Sequence, residues 1–193
     1  MLCALKYRKS PLRTRRWLAC AALALATAAQ AQWTPGEYGY ADEARDWGVA
    51  ATDTLRRPPF HAPTPLHIPG AKLVTTLELR ALLARTNAPL LIDVLSEQGH
   101  KTLAGALWLS GAGQGTNFID PAQVVLMQVL ERLTRGDRNK PVVFFCANAQ
   151  CWLSYNAALR AVAAGYTHVY WYRGGIEAWM AAGLPTAKTS AGR

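Results

Sequence analysis

The stretch Pro141-Val142-Val143-Phe144-Phe145-Cys146-Ala147-Asn148-Ala149-Gln150-Cys151-Trp152 decides how this chain folds. Four consecutive apolar residues after a proline suit a strand buried on both faces, the kind found inside parallel sheets. The run stops at Cys146, and a helical pattern over about 152–164 follows, closed by Gly165. Only five residues separate Cys146 from Trp152, so the connection must curl tightly. That brings several backbone N–H groups together at the amino end of a helix, which makes an anion cradle of Ala147, Asn148, Ala149 and Gln150. The amides and the helix dipole favour the thiolate of a cysteine at the strand end, the form a nucleophilic or redox cysteine needs. In parallel sheets ligands gather at this carboxyl edge.

Outward from this stretch, strand and helix signals alternate. A short strand is expected over 72–75, then a helix capped by Thr76 and running to about 85 with Leu79, Leu82 and Leu83 on one face. Strands follow over 90–94 and 106–109. Asp120-Pro121 is an N-cap and first-turn pair for a helix reaching Arg135, with a face of Val124, Val125, Met127 or Gln128, then Leu130 and Leu133. Arg132, Arg135 and Arg138 near its end complement the helix dipole. A β-rich run over 168–172 leads through Gly174-Gly175 into a last helix over 176–182. The alternation predicts an α/β fold: a mostly parallel five-stranded sheet with helices on both faces. Asp93, ending its strand, is expected to be a supporting hydrogen-bonding residue.

Composition bounds what such a domain can do. With 193 residues, 51% hydrophobic and 17% charged, the chain supports one globular core, which excludes disorder and repeat arrays. Its net charge of +9 is concentrated at one end: residues 1–31 hold six Lys or Arg and no acid, leaving 15 of the 21 bases against all 12 acids. No basic tract remains to recruit nucleic acid. Residues 1–31 have the build of a signal peptide, with a cationic stretch to Arg16, a 12-residue apolar run over 17–28, and Ala29-Gln30-Ala31 as cleavage site. The apolar run is shorter than the roughly 20 residues a membrane span needs. The expected mature chain starts near Gln32 in a periplasm, by Sec or Tat export, where thiols are oxidised. Residues 32–69 read as a Pro- and aromatic-rich arm that packs on a domain over 70–188, because Trp47 and Phe60 are costly to leave in water. Gly111, Gly113 and Gly115 read as a flexible rim loop. The four histidines are scattered, so neither a metal nor a cofactor is expected.

From about residue 90 to 185 the chain resembles a rhodanese domain. The resemblance rests on Leu91-Ile92-Asp93-Val94, on Cys146 opening the loop, and on Gly174-Gly175-Ile176-Glu177-Ala178-Trp179 followed by Ala182-Gly183-Leu184-Pro185. It implies a cysteine that accepts a sulfane sulfur as a persulfide, with the loop amides holding the sulfur and its anionic donor. Ala62-Pro63-Thr64-Pro65, Ile68-Pro69-Gly70-Ala71, Cys151-Trp152 with Ser154 and Asn156, and Val169-Tyr170-Trp171-Tyr172 are similar to a narrower periplasmic group. That group is named for a Cys-x-x-Cys-Trp motif and associated with PQQ-dependent alcohol catabolism. Two departures stand out, because the arginines that rhodaneses carry after the early Asp-Val and five residues after the nucleophile are here Leu95 and Cys151. Arg173, before the Gly-Gly turn, is expected to restore part of that charge beside the loop, where Trp152 also sits.

Three classes follow. The first is a sulfurtransferase carrying persulfide on Cys146, with a small sulfur-containing anion or a thiol acceptor as partner. The second is a thiol-disulfide protein with Cys146 as nucleophile and Cys151 as its resolving partner. The third is a non-catalytic accessory protein of a periplasmic PQQ-dependent oxidation system, recognising its partner through Trp152, Tyr155, Tyr170, Trp171 and Tyr172, although core packing is the favoured role for these aromatics.

Overall fold

The computed structural model describes residues 34–189; the expected leader lies outside them. In chain order the elements are β1 (Lys72–Val74), α1 (Thr76–Leu83), β2 (Leu90–Asp93), β3 (Lys101–Leu103), β4 (Leu107–Trp108), α2 (Pro121–Thr134), β5 (Val142–Phe145), α3 (Trp152–Ala163), β6 (Val169–Tyr172), α4 (Gly175–Ala181) and β7 (Thr186–Lys188). Five strands form one parallel sheet in the order β1-β6-β5-β2-β4, while β3 and β7 make a separate antiparallel ribbon. The ribbon is not legible in the sequence, because Lys101-Thr102-Leu103 and Thr186-Ala187-Lys188 are too short and polar to carry a strand period.

Strand alternation sorts the core into two halves. Val142 and Phe144 of β5, with Val169 and Trp171 of β6, face α2 and α3. Val143, Phe145 and Tyr172 face α1 and α4, where Leu79, Leu82, Ile176 and Trp179 close over them. All four residues of β5 are fully buried, as the central strand of a covered sheet requires. Among the described residues no helix is long and apolar enough to cross a membrane.

Several local expectations are corrected. The cap of α1 is Thr75, whose side chain accepts from Glu78 N while Glu78 returns a bond to Thr75 N; Thr76 is already helical. The buried stripe of α2 is Gln123, Leu126, Leu130 and Thr134, and the expected face is largely turned out: Val124, Val125, Met127 and Leu133 are exposed. Polar partners decide this. Gln123 exchanges hydrogen bonds with Arg160 of α3, and Thr134 meets Tyr166. The three-glycine loop is packed: a Cβ on Gly113 would lie 2.0 Å from Leu153 O, and Asn156 Nδ2 donates to Gly113 O. Arg138 serves the end of α3, donating to Ala164 O and covering the Tyr166 ring.

Ten of the twelve residues of α3 are buried, because the sheet covers one side and the arm the other. Tyr155 Oη donates to Thr52 O and accepts from Thr52 N; Asn156 takes Arg56 N on its oxygen and gives its NH2 to Arg56 O. Both side chains thus hold the arm as a neighbouring strand would. Nearer its start the arm is fixed by Glu43, whose carboxylate accepts from Thr76 N and Oγ1 at the amino end of α1.

Candidate active site

β5 ends at Phe145, so Cys146 opens the loop, and Cys151, in extended conformation, precedes the first turn of α3. The two are joined by a disulfide with a Cα separation of 6.1 Å. The loop between them is held from both sides. Ile176 N donates to Cys146 O and Glu177 N to Ala147 O, each at 2.9 Å, so the amino end of α4 closes against the loop. This approach needs glycine: Gly175 has φ +61°, and a Cβ there would lie 2.4 Å from Cys146 O. Asn148 shapes the turn, accepting Gln150 N on its side chain and Cys151 N on its carbonyl. Among the described residues, the N–H groups of Ala147, Asn148 and Ala149 have no acceptor. Those of Gln150, Cys151 and Trp152 are engaged, so the cradle has three open donors.

The arm lies across the loop. Trp152 N donates to Phe60 O, Ala62 N to Gln150 O, Trp152 Nε1 to Pro63 O and Thr64 Oγ1 to Ala149 O. Under this cover Cys146 is 1% and Cys151 7% exposed.

Arg173 does not supply charge to the loop, and the expectation is corrected. It is buried, and burial lowers its pKa to about 10. Its Nε donates to Thr64 Oγ1, one terminal nitrogen to Asp42 O and Glu43 O, the other to Thr64 O, and the guanidinium stacks 4.5 Å over Trp47. Every one of these partners belongs to the arm. Arginine was drawn there by backbone carbonyls that needed a fork of donors. Asp93 is fully buried; one oxygen accepts from Leu95 N and the other meets His100 Nε2 at 2.6 Å. It braces the strand end beside Phe145, its register partner. Of the five aromatics offered as a recognition surface, Trp152, Tyr155, Trp171 and Tyr172 are buried, which removes that basis for the accessory reading.

A model of the rhodanese-like domain matches residues 75–182. The chain belongs to the rhodanese-like domain family. No curated protein matches it. Among solved structures the rhodanese-like chain is similar to a thiosulfate sulfurtransferase from Pseudomonas aeruginosa (24% identity, TM-score 0.47, over 62% of this chain and 20% of that one). It is also similar to an As-Sb reductase from Leishmania major (20%, 0.42, over 56% and 76%) and a polysulfide-sulfur transferase from Wolinella succinogenes (19%, 0.43, over 61% and 79%). The chain thus spans about a fifth of the first of these.

The rhodanese-like site departs in its electrostatics from what its family membership suggests. Leu95 packs against the core, Cys151 is in the disulfide, and Arg173 serves the arm. Glu177 brings a carboxylate to the loop, accepting from Asn148 Nδ2 at 2.8 Å. Arg56, which the sequence reading missed, lies 5.2 Å over the Trp152 ring. Thr64 was missed as well. It stood in the sequence only as part of the string Ala62-Pro63-Thr64-Pro65, with no role of its own, and Pro63 and Pro65 hold the chain extended across the loop.

Proposed function

We propose that Cys146 accepts a sulfane sulfur as a persulfide and that Cys151 resolves it. The Cys146–Cys151 bond, formed beside three N–H groups without acceptors, carries this reading. In the reduced protein the Cys146 thiolate attacks the outer sulfur of a donor; the donor's S–S bond breaks and the remainder leaves as its anion. Cys151 thiolate then attacks Cys146 Sγ, expelling the carried sulfur as hydrosulfide and closing the disulfide. The sulfane sulfur is reduced and the two cysteines are oxidised, so a dithiol reductant must reopen the bond. With Leu95 and Cys151 in place of cations and Glu177 beside Asn148, a singly charged alkyl persulfide suits the site better as donor than doubly charged thiosulfate. We place this chemistry in an exported protein, processed after Ala31, acting in a periplasmic route linked to PQQ-dependent alcohol oxidation.

Intact-mass analysis tests the cycle. Reduced Cys151→Ser incubated with an alkyl persulfide should gain one sulfur on Cys146, whereas wild type should release sulfide and lose two hydrogens. No sulfur gain in Cys151→Ser overturns the reading. Disulfide formation without sulfide release would favour the second reading, thiol-disulfide exchange alone, which the same bond supports. Amino-terminal sequencing of exported material should find Gln32. Alcohol-dependent growth of a strain lacking the protein addresses the pathway, and unimpaired growth would remove the link.

A further inference from the structure

The arm meets the cysteine loop as a strand. Trp152 N donates to Phe60 O and Ala62 N to Gln150 O, both at 2.9 Å, which pairs His61 with Cys151 in an antiparallel bridge. The two bonds flank the pair instead of joining it. In such a pair the side chains share a face and the Cα atoms lie about 4.5 Å apart, within the roughly 4.4 to 6.8 Å that a disulfide spans. Cys151 itself has strand-like angles, φ −98° and ψ 106°. Both bonds join main chain to main chain, so they fix position while leaving the side chain at 61 unconstrained. Trp152 Nε1 and Thr64 Oγ1 extend the contact toward Pro63 and Ala149.

We propose that the edge Gln150–Trp152 is a docking edge for an extended, thiol-bearing segment of a partner protein, and that arm residues 60–64 are its resident occupant. The inference rests on the reading that Cys146 and Cys151 cycle through a disulfide. A displacing segment that makes the same two backbone bonds sets its central residue opposite Cys151, as His61 is now. A cysteine at that place attacks Cys151 Sγ; the Cys151–Cys146 bond breaks, a partner–Cys151 bond forms, and Cys146 leaves as thiolate into the loop whose Ala147, Asn148 and Ala149 N–H groups lack acceptors. A second thiol of the partner then attacks the partner's own sulfur in the mixed disulfide, releasing Cys151 thiolate. The partner ends as a disulfide and this protein as a dithiol. Register also sets a rule: the residue after the partner cysteine must donate an N–H, so it is not proline. A small thiol has no main chain with which to displace the arm from cysteines 1% and 7% exposed.

The test uses the oxidised full chain and three probes: a peptide of residues 57–65 carrying His61→Cys, the same peptide scrambled, and 2-mercaptoethanol. The ordered peptide should form its mixed disulfide at least tenfold faster than the scrambled one at equal thiolate concentration, and the adduct should map to Cys151. Ala62→Pro in the protein, which deletes the arm's donor to Gln150, should raise the ordered peptide's rate several-fold. Equal rates for the two peptides, an adduct on Cys146, or 2-mercaptoethanol as fast as the ordered peptide each overturns the proposal. Sulfur loading of Cys151→Ser is measured separately, so a protein that takes up sulfur without preferring the ordered peptide loses only the partner, and one with the preference but no sulfur gain loses only the sulfur reading.

Discussion

Arg173 is the residue whose role most changes between sequence and structure. A cation next to a Gly-Gly turn on the loop's edge of the sheet invites an anion-binding role, yet its donors go to Asp42 O, Glu43 O and to Thr64, and it lies fully buried. Thr64 accepts from Arg173 Nε and donates to Ala149 O, so the guanidinium reaches the cysteine loop only through the arm. Arg173→Met should leave two buried carbonyls, Glu43 O and Thr64 O, short of donors, while Asp42 O keeps its bond from Arg45 N. At about 1–3 kcal/mol for an unsatisfied buried group, and allowing for non-additivity, we expect a loss of about 2–4 kcal/mol in urea unfolding. The same variant should make the disulfide more accessible to 2-mercaptoethanol, because Thr64 is no longer anchored. An unchanged midpoint would mean that water replaces the guanidinium and that the arm is held elsewhere.

At the scale of elements, α2 tests whether periodicity or polar pairing governs orientation. Its apolar residues are spread around the helix, so hydrophobic spacing alone does not choose a face, and the stripe that is buried contains Gln123 and Thr134. Leu130→Ala should therefore cost about 2–5 kcal/mol, as for a large-to-small change in a packed core. Val124→Gln should stay within about 0.5 kcal/mol of wild type. The reverse order of effects would restore the periodic reading. The cap of α1 gives a smaller check: Thr75→Ala should lose about 1 kcal/mol, and Thr76→Ala should act instead through the bonds to Glu43 and Tyr172. The five parallel strands and four helices were legible because each is announced by an apolar run, a cap or a glycine stop. Faces and partners were less so. Gln123 and Arg160 choose one another across two helices, and Asn156 chooses the backbone of Arg56, one hundred residues away. The cysteine loop was readable as a place, from the abrupt end of Val142-Val143-Phe144-Phe145 at Cys146; its cover was not, since the arm has no period of its own.

For the molecule as a whole, the buried Glu43 and the half-buried Asp120 set opposite limits on pH stability. Glu43 is raised above its ordinary 4.5, chiefly by burial, against hydrogen bonds from Thr76 and Tyr40 that lower it. A raised carboxyl contributes most when protonated, so this contribution is complete below about pH 4.5 and is lost as pH rises through the raised value. Asp120 runs the other way. Burial alone would raise it, but the Arg160 guanidinium and the N–H groups of Gln123, Thr116 and Asn117 together hold it far below its ordinary 3.8. Its contribution is present above about pH 3.8 and disappears in stronger acid. Stability should therefore climb from acid to a maximum and decline once pH rises through the raised Glu43 value, in a protein whose arm is clamped by Glu43 and whose α2–α3 contact is clamped by Asp120 and Arg160. The two limbs separate by substitution. Glu43→Gln should flatten the decline above the maximum while leaving the acid limb intact, and Asp120→Asn should flatten the acid limb alone. Urea midpoints from pH 3 to 8 measure both. Because Glu43 ties the arm to Thr76, proteolysis within the arm of wild type should also quicken as pH rises through that value, and an arm equally resistant at both ends of the range would show that Glu43 titrates without loosening it.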